Sequence, residues 1–463
     1  MSSSNAKFSA KRILRPAALE KVYRRVEGNA SANNSTEAIY SPWSQPAGLT
    51  LADIPDTPAI CLPVYVPELS NADLYRQPKT AGTAPRKQLE RVRQASGRIH
   101  AEVWYRLRVA NGAKGIALLH EAAGKGYIEV VRAMLQSREV HENSTDSSGV
   151  TAVHHSALNG HLPTLQLLLD QGANVDAATI DGRTPLHCSA EWGRTDAVQM
   201  LLDRGAKIDY ADAYGQTALR YAAERGHTAT VQLLLDSHAN IDAADKYGET
   251  ALLYAAERGH TATVQLLLDR GANTDAVAID GKTALRYSVE LEDTATIQLL
   301  LDKGANTDIA DDYLGWTVLH YAAQRGYTDI VQLLLGRAAK IDIDVNDKYR
   351  KTALRYAVEE GHTATIRLLL DMGADVNIAD EFFGWTVLHY SAEWGQTATV
   401  RLLLERNAKI DATARDGKTA LCYSEERGHA DIAQLLRGLT TNINAAARGG
   451  RPALRYSRDS KGP

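Results

Sequence analysis

The sequence predicts an all-α solenoid of helix–turn–helix units with β-turn connections, preceded by a largely disordered N-terminal segment. Three observations predict this fold class. Two nearly identical blocks, residues 215–236 and 248–269, lie 33 residues apart, and weaker copies continue in both directions. Each copy holds two short apolar stretches with helical spacing, separated by a glycine. Hydrophobic residues make up 44% and charged residues 23% of the 463 residues, so most of the chain should fold.

The N-terminal part has a different composition. The first 100 residues hold 14 Lys and Arg, 8 Asp and Glu, and nine of the 13 prolines. We expect residues 1–80 to be a basic, Pro-, Ser- and Asn-rich, mostly disordered segment. Within it, residues 62–69 suit either a partner-binding peptide or a linker. Residues 81–114 have helical apolar spacing and predict an N-terminal cap.

An apolar residue then marks the first helix of every unit, in steps of 33 to 35 residues. It recurs as Leu119, Val153, Leu186, Leu219, Leu252, Leu285, Leu319, Leu354, Leu388, Leu421 and Leu454. No single unit can bury its apolar stripe alone, so stacked neighbours should form one continuous core.

Residues 184–190 read Thr-Pro-Leu-His-Cys-Ser-Ala, which resembles the T-P-L-H-x-A signature of ankyrin repeats, and the 33-residue period matches that family. The resemblance is clear over residues 115–437. It implies ten ankyrin repeats over residues 115–445, with residues 446–463 as a truncated eleventh repeat and tail. It also implies that the turn tips and the exposed part of the first helices form a concave binding face.

The repeated residues have physical roles of their own. A threonine stands where its hydroxyl caps each first helix, as at Thr151 and Thr217. A glycine such as Gly226 turns the chain into a second helix. Histidines such as His154 and His161 fall in repeat columns, which favours structural hydrogen bonds over metal binding. The recurrent first-helix tyrosines should pack between repeats.

Departures from the pattern predict weak points. Glu292 replaces the turn glycine of one repeat, and a left-handed non-glycine residue costs about 1 kcal/mol or more, so we expect the weakest joint there. Glycine is also replaced by Arg350 in a loop, and by His238, Ala338 and Asn407 after second helices.

The sequence carries no pattern of a catalytic or cofactor site. It lacks a P-loop, a kinase loop set, a G-x-S-x-G elbow and an H-E-x-x-H motif. Its three cysteines, Cys61, Cys188 and Cys422, are too scattered for a disulfide framework or a zinc site, which favours a reducing compartment. We therefore expect no enzymatic activity, no cofactor and no metal.

The net charge and the hydropathy of the sequence limit the classes of partner that we expect. The net charge of −4 argues against direct nucleic-acid binding, and no run of eighteen apolar residues predicts a membrane span. We expect an intracellular monomer in the nucleus or cytoplasm. The basic segment 1–27 suits a solvated helix, a nuclear-import tract or a mitochondrial presequence, so mitochondrial targeting stays open.

The candidate partner-binding residues are aromatic or arginine side chains that the resemblance places on the concave face. They are Trp192, Tyr214, Arg225, Tyr247, Arg258, Tyr313, Trp316, Arg325, Tyr349, Phe382, Phe383, Trp385 and Trp394. The alternative is that the turn-tip aromatics pack on adjacent turns. Phe382 and Phe383, with Trp385 and Trp394, form the sharpest candidate, because they gather at a lengthened turn. A cationic or aromatic-anchored peptide would suit this cluster.

The functional hypothesis is a non-catalytic scaffold or regulator that binds other proteins, refined to a transcription co-regulator. The alternative is a substrate-recruiting adaptor for a modifying enzyme such as a ubiquitin ligase, with residues 28–80 recruiting the enzyme. A third class, catalysis within segment 1–80, is disfavoured because that segment is short and contains no histidine.

Overall fold

The computed structural model describes residues 113–138, 140–337 and 341–447, and within them the chain is all-α, as predicted. The predicted disordered segment 1–80, all but the last two residues of the predicted cap 81–114, and residues 448–463 of the predicted tail lie outside this range. None of the helices in the described part combines the length and the apolarity needed to cross a lipid bilayer.

Within the described ranges, twenty helices form ten antiparallel-type pairs, each with a first helix (odd numbers) and a second helix (even numbers). The bounds are α1 Ala113–Gly124, α2 Ile128–Ser137, α3 Ala152–Asn159, α4 Leu162–Asp170, α5 Pro185–Glu191, α6 Thr195–Asp203, α7 Ala218–Glu224, α8 Thr228–Asp236, α9 Ala251–Glu257, α10 Thr261–Asp269, α11 Ala284–Glu290, α12 Thr294–Asp302, α13 Val318–Arg325, α14 Thr328–Arg337, α15 Ala353–Glu360, α16 Thr363–Asp371, α17 Val387–Glu393, α18 Thr397–Glu405, α19 Ala420–Glu426 and α20 Ala430–Ala447.

A threonine is the N-cap residue of every first helix from α3 to α19, as the sequence predicts, and in all of these except α19 its side chain caps the helix. Thr217 Oγ1 accepts a hydrogen bond from the Arg220 backbone N–H, 3.4 Å away, at the start of α7. Where a histidine follows three residues later, it completes a capping box: the Thr151 backbone N–H donates to His154 Nδ1 at 3.1 Å. These contacts satisfy backbone donors that a helix start otherwise leaves unpaired.

A left-handed glycine turns the first helix into the second helix in every described repeat except that of α11 and α12. Gly226 has φ +71°, and a Cβ placed on it would lie 2.6 Å from Nδ1 of His260 in the next repeat. That ring is held in place because its Nε2 donates to the Glu224 carbonyl oxygen at 2.9 Å. The glycine is therefore needed for its backbone conformation and for the space it leaves to the neighbouring repeat.

One core runs along the stack. The predicted small pairs Ala222–Ala223 and Ala322–Ala323 are fully buried, so neighbouring first helices approach closely. Second helices contribute their stripe to the same core, for example Val231 and Leu234 of α8. Each pair covers the apolar face of its neighbours, which is how units too small to fold alone become stable together.

The repeat of α11 and α12 departs from this pattern at consecutive positions. Glu292 has φ +57°, as predicted, where other repeats have glycine. Asp293 replaces the histidine that bonds to a backbone carbonyl of the preceding repeat. It accepts from the Thr296 backbone N–H at 3.1 Å and from Thr261 Oγ1 of the preceding repeat at 3.0 Å. Tyr327 of the next repeat takes the position that His260 has beside Gly226, and burial, together with the nearby Glu292 carboxylate, raises the pKa of its hydroxyl. Among the described neighbouring first helices, α11 and α13 pack least extensively.

The other predicted left-handed residues behave alike. Arg350, His238 and Asn407 have φ values of +55°, +68° and +64°. Ala338 lies outside the described residues. Arg138, at φ +57° after α2, is an additional case that the sequence pattern did not indicate.

Replacing Glu292 with glycine should stabilise the array. Removing the left-handed strain outweighs the greater backbone entropy of an unfolded glycine, so we expect a gain of about 0.5–1 kcal/mol. The measurement is the midpoint of urea-induced unfolding, monitored by circular dichroism. Glu360→Gly is the control, because Glu360 ends α15 with helical geometry and its replacement should destabilise. A Glu292→Gly variant that is no more stable than the natural chain would contradict the assignment of strain.

Candidate protein-binding surface

Aromatic side chains project from the turn tips. Tyr214, Tyr247 and Tyr313 are 49%, 52% and 64% exposed, and Phe382 and Phe383 are 63% and 60% exposed. Backbone hydrogen bonds join several of these tips to the following one, with carbonyl acceptors at Tyr214, Tyr247, Leu314 and Phe383. The group that we call the tip aromatics consists of Tyr214, Tyr247, Tyr313, Tyr349, Phe382 and Phe383.

The backbone ladder joins one tip to the next. The Lys246 N–H donates to the Tyr214 carbonyl oxygen at 2.9 Å, and the Ile279 N–H donates to the Tyr247 carbonyl oxygen at 2.8 Å. Within each tip an aspartate closes the turn, as Asp212 Oδ1 does by accepting from the Tyr214 N–H at 2.8 Å. The exposed rings therefore stand on a fixed backbone, so a partner would meet a preorganised row.

Two predicted binding residues do not belong to this surface. Trp316 is buried, and its Nε1 donates to Tyr356 Oη at 3.0 Å and to Asp347 Oδ2 at 3.2 Å. Trp385 is half-buried, and its Nε1 donates to Tyr423 Oη at 3.0 Å. Both side chains follow the turn glycine and fold back onto the next repeat. Trp316 is therefore a packing residue, a correction to its predicted placement, and Trp385 is mainly one.

The ends of the first helices provide a second row. Trp192 and Trp394 are 51% and 43% exposed. Arg225 and Arg258 form ion pairs with Glu191 and Glu224 of the preceding repeat, each at 3.2 Å.

Those arginines and Arg325 remain on the surface while contacting their own stack. The Arg325 guanidinium lies 5.4 Å from the centre of the Tyr321 ring. The side chains of Arg225 and Arg258 are 44% and 53% exposed, whereas the Glu191 and Glu224 side chains that they pair with are 7% and 17% exposed. The second row thus combines exposed indoles with exposed guanidinium groups.

The tyrosine column forms the floor between the rows, and its predicted packing role is confirmed. Tyr254 is 6% exposed, and its hydroxyl donates to Asp245 Oδ2 at 2.9 Å. The Arg220 guanidinium lies 3.7 Å from the centre of its ring and also pairs with Glu224 at 2.7 Å, as the four-residue spacing predicts. Burial raises the pKa of Tyr254 far above its usual value, so the hydroxyl stays a donor.

Exposed aliphatic residues complete the surface, and the sequence interpretation missed them. Ile180 and Ile279 are 79% and 67% exposed beside the tip aromatics, and Val277 is 43% exposed. Leu291, 50% exposed, takes the place that Arg225 and Arg258 have in other repeats. The only signal in the sequence was their register, because a search for aromatic and arginine side chains passes over them.

Histidines on the first helices are structural, as predicted. His187 Nε2 donates to the Gln216 carbonyl oxygen at 3.0 Å, and its Nδ1 accepts from the Thr184 N–H at 3.0 Å. Burial lowers the pKa of His187 to about 4, and that of His154 likewise to about 4. Over the described ranges, no three His, Cys, Asp or Glu side chains gather in a way that would hold a metal ion.

The buried histidines predict a loss of stability in acid. The unfolded pKa is about 6.5, so between pH 6.5 and 4 the unfolded chain binds a proton that folded His187 rejects, and stability falls as pH falls. The variant His187→Leu should lack the part of this acid-induced loss of stability that comes from His187. Leucine is a suitable replacement, because Leu253 occupies the same helix position in another repeat. From pH 7.5 to 5, we expect the natural chain to lose about 2 kcal/mol more unfolding free energy than the variant. If urea titrations show that the unfolding free energies of the natural chain and the variant change with pH in parallel, this prediction is wrong.

The matches with known proteins lie in the same repeats. A family model described as "Ankyrin repeats (3 copies)" matches residues 119–212, 209–278, 285–380 and 373–447. Human Ankyrin repeat domain-containing protein 49 is 39% identical over 80 residues, 17% of this chain and 34% of that protein. BCL-6 corepressor-like protein 1 of Mus musculus is 38% identical over 74 residues, 16% of this chain and 4% of that protein.

A plant protein shares a shorter stretch. Probable E3 ubiquitin-protein ligase XBOS33 of Oryza sativa subsp. japonica is 57% identical over 37 residues, 8% of this chain and 7% of that protein. The chain thus spans about a third or less of the length of these relatives, so the likeness concerns the repeats and not the whole proteins.

Proposed function

The chain belongs to the ankyrin-repeat family, whose repeats serve protein–protein interaction, and we propose that it is a non-catalytic scaffold or regulator that binds a partner on its concave face. The observation that carries the proposal is the row of tip aromatics on a hydrogen-bonded backbone. Exposed apolar side chains in one row are unusual for a free surface. Aromatic residues and arginine are also the residue types that dominate binding energy at interfaces.

The titratable side chains of the repeats support a non-catalytic role. His187 and His154 use both ring nitrogens in contacts that hold the backbone. The hydroxyl of Tyr254 is bonded to a carboxylate. Groups that are committed to neighbouring repeats are poorly suited to transfer protons to a substrate.

Within this role, a transcription co-regulator is the preferred refinement. It is supported by the likeness to a protein named as a corepressor-like protein. The refinement expects nuclear accumulation that depends on the basic residues Lys11, Arg12, Arg24 and Arg25. Fluorescence microscopy of the tagged natural chain and of a variant with these four residues changed to alanine tests it. A uniform cytosolic signal for the natural chain would remove this refinement.

The second candidate is an adaptor that recruits substrates to a modifying enzyme. The short match to a protein named as a probable ubiquitin ligase favours it. Here residues 28–80 would recruit the ligase while the repeats hold the substrate. Deleting residues 28–80 should then remove a ligase from the captured complex, and retention of the ligase would contradict the adaptor model.

Affinity capture from native cell extract tests the binding face itself. The variant carries Phe382→Ala, Phe383→Ser and Trp394→Ala and keeps Trp385, because that ring packs inside the stack. Circular dichroism must show an unchanged melting temperature. We expect a partner held by the natural chain to be lost by this variant and kept by the control Met372→Ala, which removes an exposed apolar side chain that follows the second helix α16 and belongs to neither row. Identical captures by all three proteins would place the site elsewhere.

A further inference from the structure

Glutamates at the ends of the first helices normally have cations within the chain. Glu290 accepts from Lys282 Nζ at 3.0 Å, eight residues earlier, and from Arg286 Nε at 2.9 Å, four residues earlier. Glu359 repeats the arrangement, with Lys351 Nζ at 2.8 Å. The eight-residue spacing thus brings a side chain beside the turn glycine against the end of the same helix.

A third cation comes from the following repeat, where an arginine comes directly after the glutamate of its own first helix. Arg225 reaches Glu191 and Arg258 reaches Glu224, each at 3.2 Å. Three positions can therefore neutralise each of these glutamates: eight residues before it, four residues before it, and this arginine position of the following repeat.

Glu257 has lost all three cations. Glu249 stands eight residues before it, Leu253 stands four residues before it, and Leu291 takes the arginine position of the following repeat. Of the seven glutamates at this position in the described repeats, Glu257 alone has no ion pair. Two carboxylates thus replace the lysine and glutamate pair of sister repeats.

The surroundings suit the long side chain of a cationic residue. Glu257 is half-buried, and burial raises its pKa above the usual value. The guanidiniums of Arg258 and Arg220 oppose this shift without forming an ion pair with Glu257. The Glu249 and Glu224 carboxylates add to the shift. Tyr287 Oη donates to Glu249 Oε1 at 3.0 Å and fixes that carboxylate. Leu291, half exposed, offers apolar surface beside it. Lysine and arginine bury their carbon stems on such surface while the charged end stays paired.

We propose that a lysine or arginine side chain of the bound partner segment completes this ion pair, with its charged end between Glu249 and Glu257. The charged group would take the place that Lys282 Nζ and Lys351 Nζ have in sister repeats. Apolar residues flanking it would lie on Tyr247 and Ile279, which are 52% and 67% exposed. A peptide cation fits better than a metal ion, because two carboxylates alone do not provide the six or more oxygens that calcium takes. This proposal rests on the proposed function of the concave face.

The test uses the full chain and a positional-scanning octapeptide library as the probe. We expect the natural protein to enrich lysine or arginine at one position, with apolar residues beside it. Glu249→Lys rebuilds the internal pair and should weaken binding of the best peptide at least tenfold in fluorescence anisotropy. Asp203→Lys, which makes the same charge change on an exposed second-helix residue, should leave the affinity unchanged. Replacing the peptide's basic residue with norleucine should then abolish the difference between natural chain and Glu249→Lys variant.

Three results would overturn the proposal: selected peptides without a basic residue, equal affinity of the natural and Glu249→Lys proteins, or no selected peptide. If peptides without a basic residue are selected while capture still depends on Phe382, the proposed function stands and only this inference falls. If the natural chain selects no peptide and captures no protein, both fall. Independently, Glu249→Lys should raise the melting temperature, because the introduced ammonium group neutralises Glu257. A lower melting temperature would contradict the inference that Glu257 lacks a cation within the chain.

Discussion

Replacing Glu191 with alanine is expected to destabilise the array by about 3–5 kcal/mol, the largest effect of any single charge removal in the described repeats. Arg183 and Glu191 form a buried ion pair, with side chains only 6% and 7% exposed. Removal of the carboxylate leaves the Arg183 guanidinium buried without its anion. The measurement is the unfolding free energy from urea titration, followed by circular dichroism at pH 7.5.

Glu393→Ala is the matched control. Glu393 lies in the same Ser-Ala-Glu-Trp-Gly context and its carbonyl oxygen also accepts from a histidine, but its ion-pair partner, Arg427, is 61% exposed. We expect a loss below about 1 kcal/mol there. The double variant Arg183→Met with Glu191→Leu should recover most of the loss, because it removes both charges. Equal losses in the two single variants would show that the burial of Arg183 does not govern the effect.

Replacing Gly226 with alanine is expected to cost more than the same change at Gly259, although both lie in the sequence Glu-Arg-Gly-His-Thr-Ala-Thr with φ +71°. At Gly226 the new Cβ would lie 2.6 Å from Nδ1 of His260, whereas at Gly259 the nearest atom is Leu291 Cδ1 at 3.7 Å. The backbone strain of about 1–2 kcal/mol is common to both variants. Displacement of His260 adds about 1–3 kcal/mol to the first variant only.

Urea titration of the two glycine variants gives the difference directly. Because the local sequences are identical, helix propensity and unfolded-state effects cancel, and only the neighbouring repeat differs. Equal destabilisation would mean that the His260 ring moves aside freely and that the glycine is needed for its backbone conformation alone.

The fold was predictable because each repeat carries several independent sequence signals for the same structure. The threonine caps, the left-handed glycines and the apolar stripes all indicate the same helix bounds, and even Glu292 could be recognised as a strained substitute for glycine. The resemblance to ankyrin repeats also predicted a common face for the tip aromatics.

The site was less predictable, because residue type does not fix which way a side chain points. Trp316 and Tyr313 look equally suited to a binding face in the sequence, yet one fills a gap beside Tyr356 and the other is exposed. The absence of an ion pair at Glu257 was also not predicted from the sequence. It depends on positions earlier in its own repeat and in the following repeat, which become neighbours only when the helices are stacked.

The loosely packed neighbours α11 and α13 matter for how the array responds to a pulling force. Tension along a stack is transmitted through every interface in series, so the most loosely packed interface yields first. Here it would separate six helix pairs from four, each block keeping its own core. A chain tethered at both ends would then lengthen in a single step at low load, and the two blocks could close again without refolding.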